Sequence, residues 1–171
     1  MEPPPADDAR LPRAVEASPR AEAVRAALRA DARPLRTGGA LAVAHVPMTA
    51  TLRSMLATLG AAGRLVRGLE TAEEALAGER RGLAALPEEI RRRQGSRVSR
   101  VLVMSADGAD RFHRQVERLV LAHAPRVVAC RVDCTSAELG AAAFGPGEVA
   151  KLVLSGRKAA AVALLEALAG P

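Results

Sequence analysis

The chain has only two aromatic residues, Phe112 and Phe144, in 171 positions, with no Trp and no Tyr. Its core must therefore be built from Ala, Leu and Val. The same scarcity narrows function. Platforms that stack single-stranded bases need aromatic rings. A nucleic-acid partner would have to be held through charge, backbone amides and shape. A hydrophobic fraction of 49% and a charged fraction of 26% are near globular averages and exclude a wholly disordered chain. This length suits one ordinary domain, which buries roughly 70% of the surface of its unfolded chain. Two Cys cannot staple a disulfide-held fold, and no apolar run of about 18 residues is free of charge, so no membrane-spanning helix is expected.

The formal net charge is +6 and the pI about 10.8. Of the 25 basic residues only Lys151 and Lys158 are lysines. Arginine is the better fork for phosphate and the better stacker on bases. A balance this basic favours polyanionic partners.

Residues 1–37 differ from the rest. They open Met1-Glu2-Pro3-Pro4-Pro5, and seven Arg face six acids. A Pro-rich start of this kind is expected to stay largely disordered, with a short Ala/Arg helix over 22–32 before Pro34. There is no apolar stretch of the secretory kind, and the early acids make a poor mitochondrial presequence. Gly38-Gly39 is expected to be a hinge, opening a domain over 38–171.

Apolar runs predict strands over 41–46, 64–67, 101–104, 126–132 and 149–154. Helical spacing predicts helices over 49–62, 69–77, 80–93 (interrupted at Pro87), 110–123, 136–143 and 157–169. Leu83, Leu86 and Ile90 share one face of the 80–93 segment. Ser136 and Asp110 are expected as N-caps. Strands alternating with helices predict an α/β protein, a three-layer α-β-α sandwich around a small mixed sheet.

In this order of elements, four stretches carry a resemblance. They are Leu59-Gly60-Ala61-Ala62-Gly63-Arg64-Leu65-Val66-Arg67-Gly68, the helix Glu70 to Leu76, Leu102-Val103-Met104-Ser105-Ala106-Asp107-Gly108-Ala109, and Ser136-Ala137-Glu138-Leu139-Gly140 followed by Phe144-Gly145. From Thr49 onward the chain resembles the kink-turn RNA-binding family of ribosomal proteins, the large-subunit seven-Ae type, and most nearly its small bacterial ribosome-associated members. The resemblance implies a structured-RNA-binding protein of the ribosome, with ribosomal RNA as its partner. It implies no enzyme activity, no cofactor and no small-molecule substrate. A cytoplasmic or mitochondrial ribosome would be its location, and neighbouring ribosomal proteins would meet the N-terminal extension.

Two departures stand out. The family's turn after the glycine has an Asn and, one helical turn on, a Lys. Here Leu69 replaces the Asn, Glu70 is kept, and Glu73 and Glu74 occupy the Lys region, which exchanges attraction for phosphate with repulsion. The second departure is a basic insertion at 78–99. From Gly78 to Arg100 seven Arg stand against three Glu.

The candidate RNA contacts follow. Gly68, Leu69 and Glu70 form a strand-to-helix turn whose amides can hold a phosphate. Arg64 and Arg67 flank it and would replace the Lys. Arg91, Arg92, Arg93, Arg97 and Arg100 form a basic loop beside the turn, either a phosphate clamp or a solvated helix end. In the 131–136 loop the resemblance implies that Val132 packs against an extruded base, although Asp133 opposes phosphate. The competing reading of that loop is an ordinary strand-to-helix connection.

Other residues carry less. Cys130 and Cys134 read as ordinary thiols, with no four-ligand zinc set in view. His113 and His123 are expected at the surface. Asp107 and Asp110, at a strand's carboxyl end, would serve an enzyme reading, but no P-loop, dinucleotide fingerprint or nucleophile elbow accompanies them. The alternative to RNA binding is a protein-interaction module on the same fold, docking through a neutral patch around Leu69.

Overall fold

The computed structural model describes residues 9–171, so the Pro-rich opening lies outside the described residues. Among these residues the chain forms α1 (Arg13–Glu16), α2 (Ala21–Arg29), β1 (Arg33–Pro34), β2 (Ala42–Pro47), α3 (Ala50–Ala61), β3 (Leu65–Arg67) and α4 (Leu69–Ala84). It continues with α5 (Glu88–Gly95), β4 (Arg100–Met104), α6 (Asp110–Ala122), β5 (Val127–Asp133), α7 (Ser136–Phe144), β6 (Leu152–Ser155) and α8 (Lys158–Leu168).

The six strands lie in the order β1-β2-β5-β4-β6-β3. β2, β5, β4 and β3 point the same way, while β1 and β6 run against them. The sheet is therefore mixed, and helices cover both faces. Alternation along β4 shows how. Val101 and Val103 face a cluster with Val15, Leu28, Leu52, Leu56, Leu139 and Leu164 from α1, α2, α3, α7 and α8. Leu102 and Met104 face a second cluster with Ala72 and Leu76 of α4 and Val116, Leu119 and Val120 of α6. A central strand covered on both sides must be apolar throughout, which is why Val101 to Met104 is an unbroken run. The α/β sandwich expected from the sequence is the fold observed.

With no ring but Phe112 and Phe144, close packing falls to small residues. At Gly60 in α3, an added Cβ would run into the Ala143 carbonyl of α7. At Gly140, it would run into the Glu148 carbonyl. The Glu138-Leu139-Gly140 stretch thus has a packing reason: α7 passes directly under the loop that enters β6. Its N-cap is Thr135 rather than Ser136, in a capping box with Glu138. Ala109, not Asp110, precedes α6, and Asp110 pairs with Arg114 at 3.1 Å.

The expected disorder of the N-terminal extension does not hold over 9–37. Leu11, Val15, Val24, Leu28 and Leu35 are all buried. Val24 and Leu28 share one face of α2, Leu11 and Val15 flank the start of α1 and lie in it respectively, and together they close the core over α8 and β2. Gly38-Gly39 is no hinge between domains. It is the tip of the turn joining β1 to β2, closed by Leu35 N–H donating to Leu41 O at 2.8 Å. Residue 38 therefore falls inside a hairpin whose two arms share one core.

The basic loop expected from Arg91 to Arg97 is mostly helix. α4 runs without interruption from Leu69 to Ala84, Pro87 caps α5, and the expected 80–93 helix is split between them. A proline lacks the N–H that a continuing helix needs and suits the first position of a new one. Ile90 consequently turns outward and is 42% exposed.

Candidate nucleic-acid interface

The strand directions define two edges. The carboxyl edge carries the exits of β2, β3, β4 and β5 and the entrance of β6. Gly68 sits here, with φ 86° and ψ 161°, its N–H donating to Leu152 O at 2.9 Å. Open space surrounds its absent Cβ, so the positive φ alone requires glycine. α4 starts without a side-chain cap, so its first-turn amides have no capping partner. Glu70 is exposed. Leu69 is half-buried against the second core cluster, so the neutral docking patch expected around it is not an open one.

The arginine beside this turn is already engaged. Arg67 pairs with Glu148 at 2.7 Å, and its guanidinium lies 4.2 Å from the centroid of Phe144. Its charge is already shared between a carboxylate and a ring face. Asp107, Asp133, Glu138 and Glu148 lie elsewhere along the same edge, all exposed. Asp107 accepts from the Ser136 amide at 2.9 Å and from the Ser105 hydroxyl at 2.7 Å. The Ser136 amide, then the Ser105 hydroxyl, hold its carboxyl below the usual range. Asp107 thus ties the exit of β4 to the start of α7.

Val132 does not reach any base. It is fully buried in β5, in register with Val46. Alternation explains this: Cys130 and Val132 share the face that α3 and α7 cover. Both thiols are buried and unbridged. Burial pushes Cys130 up to about 12 and Cys134 to about 11. His113 is also buried, contrary to expectation, and burial lowers its pKa. Its place on α6 among Val116 and Val120 puts it on the inward face.

The insertion lies at the other edge. The 16 residues of α4 span about 24 Å and carry the chain away from Gly68 before α5 begins. Arg64, at the opposite end of β3, belongs to this far edge as well: its carbonyl accepts from Gly156 N–H beyond the end of β6. The turn and the arginines therefore do not form one adjacent surface.

The five candidate arginines from Arg91 to Arg100 divide into two groups. Arg97 and Arg100 are structural. Arg97 donates to Leu11 O at 2.9 Å and pairs with Glu16, and Arg100 pairs with Glu79 at 3.4 Å. Glu79 also binds Arg126 and accepts from the Ser99 hydroxyl at 2.8 Å. Burial alone would raise the Glu79 carboxyl. The Arg126 and Ser99 hydrogen bonds and the charges of Arg100 and Arg126 outweigh it and hold the group low.

Arg91, Arg92 and Arg93 are free to act. They lie on α5, which buries none of its side chains among the described residues. Arg92 and Arg93 pair with Glu88 and Glu89, one turn back, at 2.7 and 2.9 Å. Both pairs are exposed, and such pairs contribute only a few tenths of a kcal/mol. A phosphate can displace either carboxylate at little cost. Arg91 has no side-chain partner among the described residues. Arg13 and Lys158 stand close by across a groove that Arg93 also lines. They come from segments far apart in the sequence, and no local pattern joins them to α5. The apolar spacing of Leu11 and Val15 is the one available signal that the N-terminal segment belongs here.

No group of His, Cys, Asp and Glu among the described residues is arranged to hold a metal. No helix among them is long and apolar enough to cross a membrane. No protein-family model matches the chain, and no curated protein matches it.

Proposed function

We propose that the protein binds structured RNA, in the manner of a ribosome-associated protein, through the α5 edge of the sheet. One observation carries this reading. α5 is a helix with no buried side chain, and it presents Arg91, Arg92 and Arg93 in succession. A helix that contributes nothing to the core is retained for its surface, and this surface is a row of phosphate forks. The net charge of +6 supports the same partner. The Gly68 turn, which the family resemblance would make the primary contact, plays a lesser part because Arg67 beside it is already paired with Glu148. Recognition is by backbone charge and shape, since the edge offers no ring for stacking.

The test is crosslinking in cells with sequencing of the bound RNA, followed by titration of the recovered ribosomal RNA segment at several salt concentrations. Removing one phosphate-binding side chain lowers the slope of log affinity against log salt by about 0.7 to 0.9. The variant Arg91→Ala/Arg92→Ala/Arg93→Ala is expected to lower the slope by about two, whereas Arg67→Ala leaves it unchanged. An unchanged slope in the triple variant, or an empty crosslinking profile at intact expression, overturns the reading.

A further inference from the structure

A groove of about 500 Å³ opens between the N-terminal turn, α5 and the start of α8. That volume is in the range of clefts that hold ligands, about 300 to 1,000 Å³. Its accessible aliphatic lining is Ala14 and Val162, over buried Pro12 and Val98, with Ile90 at the lip. Ile90 and Val149 are the exposed large hydrophobics among the described residues, and Ile90 borders this groove. Every charged residue lining the groove is basic. Arg13 and Lys158 are exposed and have no ion-pair partner among the described residues.

We propose that this groove docks an acidic peptide segment of a partner protein, with an aliphatic side chain seated against Ile90 and Val162 and flanking carboxylates on Arg13 and Lys158. Charge complementarity sets the sign of the occupant, and the floor sets its chemistry. Branched aliphatic walls pack well against a Leu or Ile side chain. They give an unpaired base no ring to stack on. A small apolar anchor inside a charged rim is the usual layout of peptide recognition. This inference does not rest on the RNA reading, although Arg93 borders both surfaces.

The probe is a synthetic 12-residue peptide with two Leu four residues apart among Asp and Glu. Amide chemical shifts of the full-length protein are followed by NMR during titration. Shifts are expected at 13–14, 90–98 and 158–162. Ile90→Ser and Lys158→Glu should each weaken binding about tenfold. Both positions are exposed, and a carboxylate in the first turn of α8 suits the helix dipole, so the fold is retained. A peptide with Leu replaced by Ser, and one with Asp and Glu replaced by their amides, should both fail to bind. No shifts at millimolar peptide, or equal binding by the Leu-to-Ser peptide, overturns the proposal. So does an oligouridine strand that moves the groove amides when the peptide does not, which would make RNA the occupant.

Discussion

Arg97 Nη1 lies 2.5 Å from Glu16 Oε2, and the same nitrogen donates to Leu11 O at 2.9 Å. One guanidinium thus fastens the N-terminal segment to the strand entrance behind α5. Arg10 and Arg97 form a parallel bridge beside it, with Val98 N–H donating to Arg10 O at 2.8 Å. The Arg97 hydrogen bond, ahead of its charge and that of Arg25, holds the Glu16 carboxyl below the usual range. A double-mutant cycle of Arg97→Ala and Glu16→Ala, read by urea unfolding, should show a coupling of about 1 kcal/mol. RNA affinity should not change with Glu16→Ala. A coupling near zero would mean that the pair only decorates the surface.

Glu79 joins Arg100, Arg126 and Ser99 at the same edge, with its side chain 15% exposed. Its folded pKa is depressed. The stability it supplies is therefore fully present above the ordinary carboxylate range, near about 4.3, and is lost as pH falls through the lower folded value. Glu79→Gln should cost about 2 to 3 kcal/mol at neutral pH, because two half-buried guanidinium groups lose their counter-charge. As pH falls below about 4 the wild type and the variant should converge. Denaturant midpoints measured from neutral pH down through the carboxylate range test both statements.

The N-terminal segment is core rather than appendage. Leu28 is 3% exposed and packs in the cluster with Val24 and Leu164. Leu28→Ala should destabilise by about 2 to 4 kcal/mol, the range for a buried leucine whose cavity cannot fully collapse. Removing residues 1–37 should expose the apolar faces of α8 and β2 and leave a chain without a cooperative unfolding transition. A truncated protein with an unchanged melting temperature would show that the segment merely rests on the surface.

How much of this is legible depends on the range over which each cue acts. The strand Val101 to Met104 and the helix around Val116 and Val120 announce themselves, because burial on two faces or on one face leaves its own period in the sequence. The same rule, applied to Cys130 and Val132, places Val132 inside, against the base contact that the resemblance implies. Composition hides the N-terminal segment: arginine and alanine dominate it, and the pairs 11/15 and 24/28 are easily passed over. Arg97 shows a deeper difficulty. In sequence it belongs with Arg91 to Arg93, yet its partner Glu16 is 81 residues away. A run of like charges does not reveal which members are already neutralised. The separation of Gly68 from α5 is equally hidden, because the apolar spacing of α4 fades near residue 77. The further turns, to Ala84, carry the chain to the opposite edge.

Glycine-to-alanine changes should act in opposite directions at positions that look alike in the sequence. Gly60, Gly82 and Gly140 all lie within helices. At Gly60 and Gly140 a new methyl meets backbone carbonyls, of Ala143 and Glu148 respectively, that no rotamer change can move. Backbone must shift at the α3–α7 contact or under the β6 loop, at a cost of about 1 to 3 kcal/mol or more. At Gly82 nothing lies within 4 Å of the added carbon. There alanine removes only the entropy penalty of glycine in a helix, and the protein should gain about 0.5 to 1 kcal/mol. Thermal unfolding of the three single variants decides the matter. An equal gain at Gly60 and Gly82 would mean that helix propensity, rather than the α3–α7 contact, dominates at Gly60.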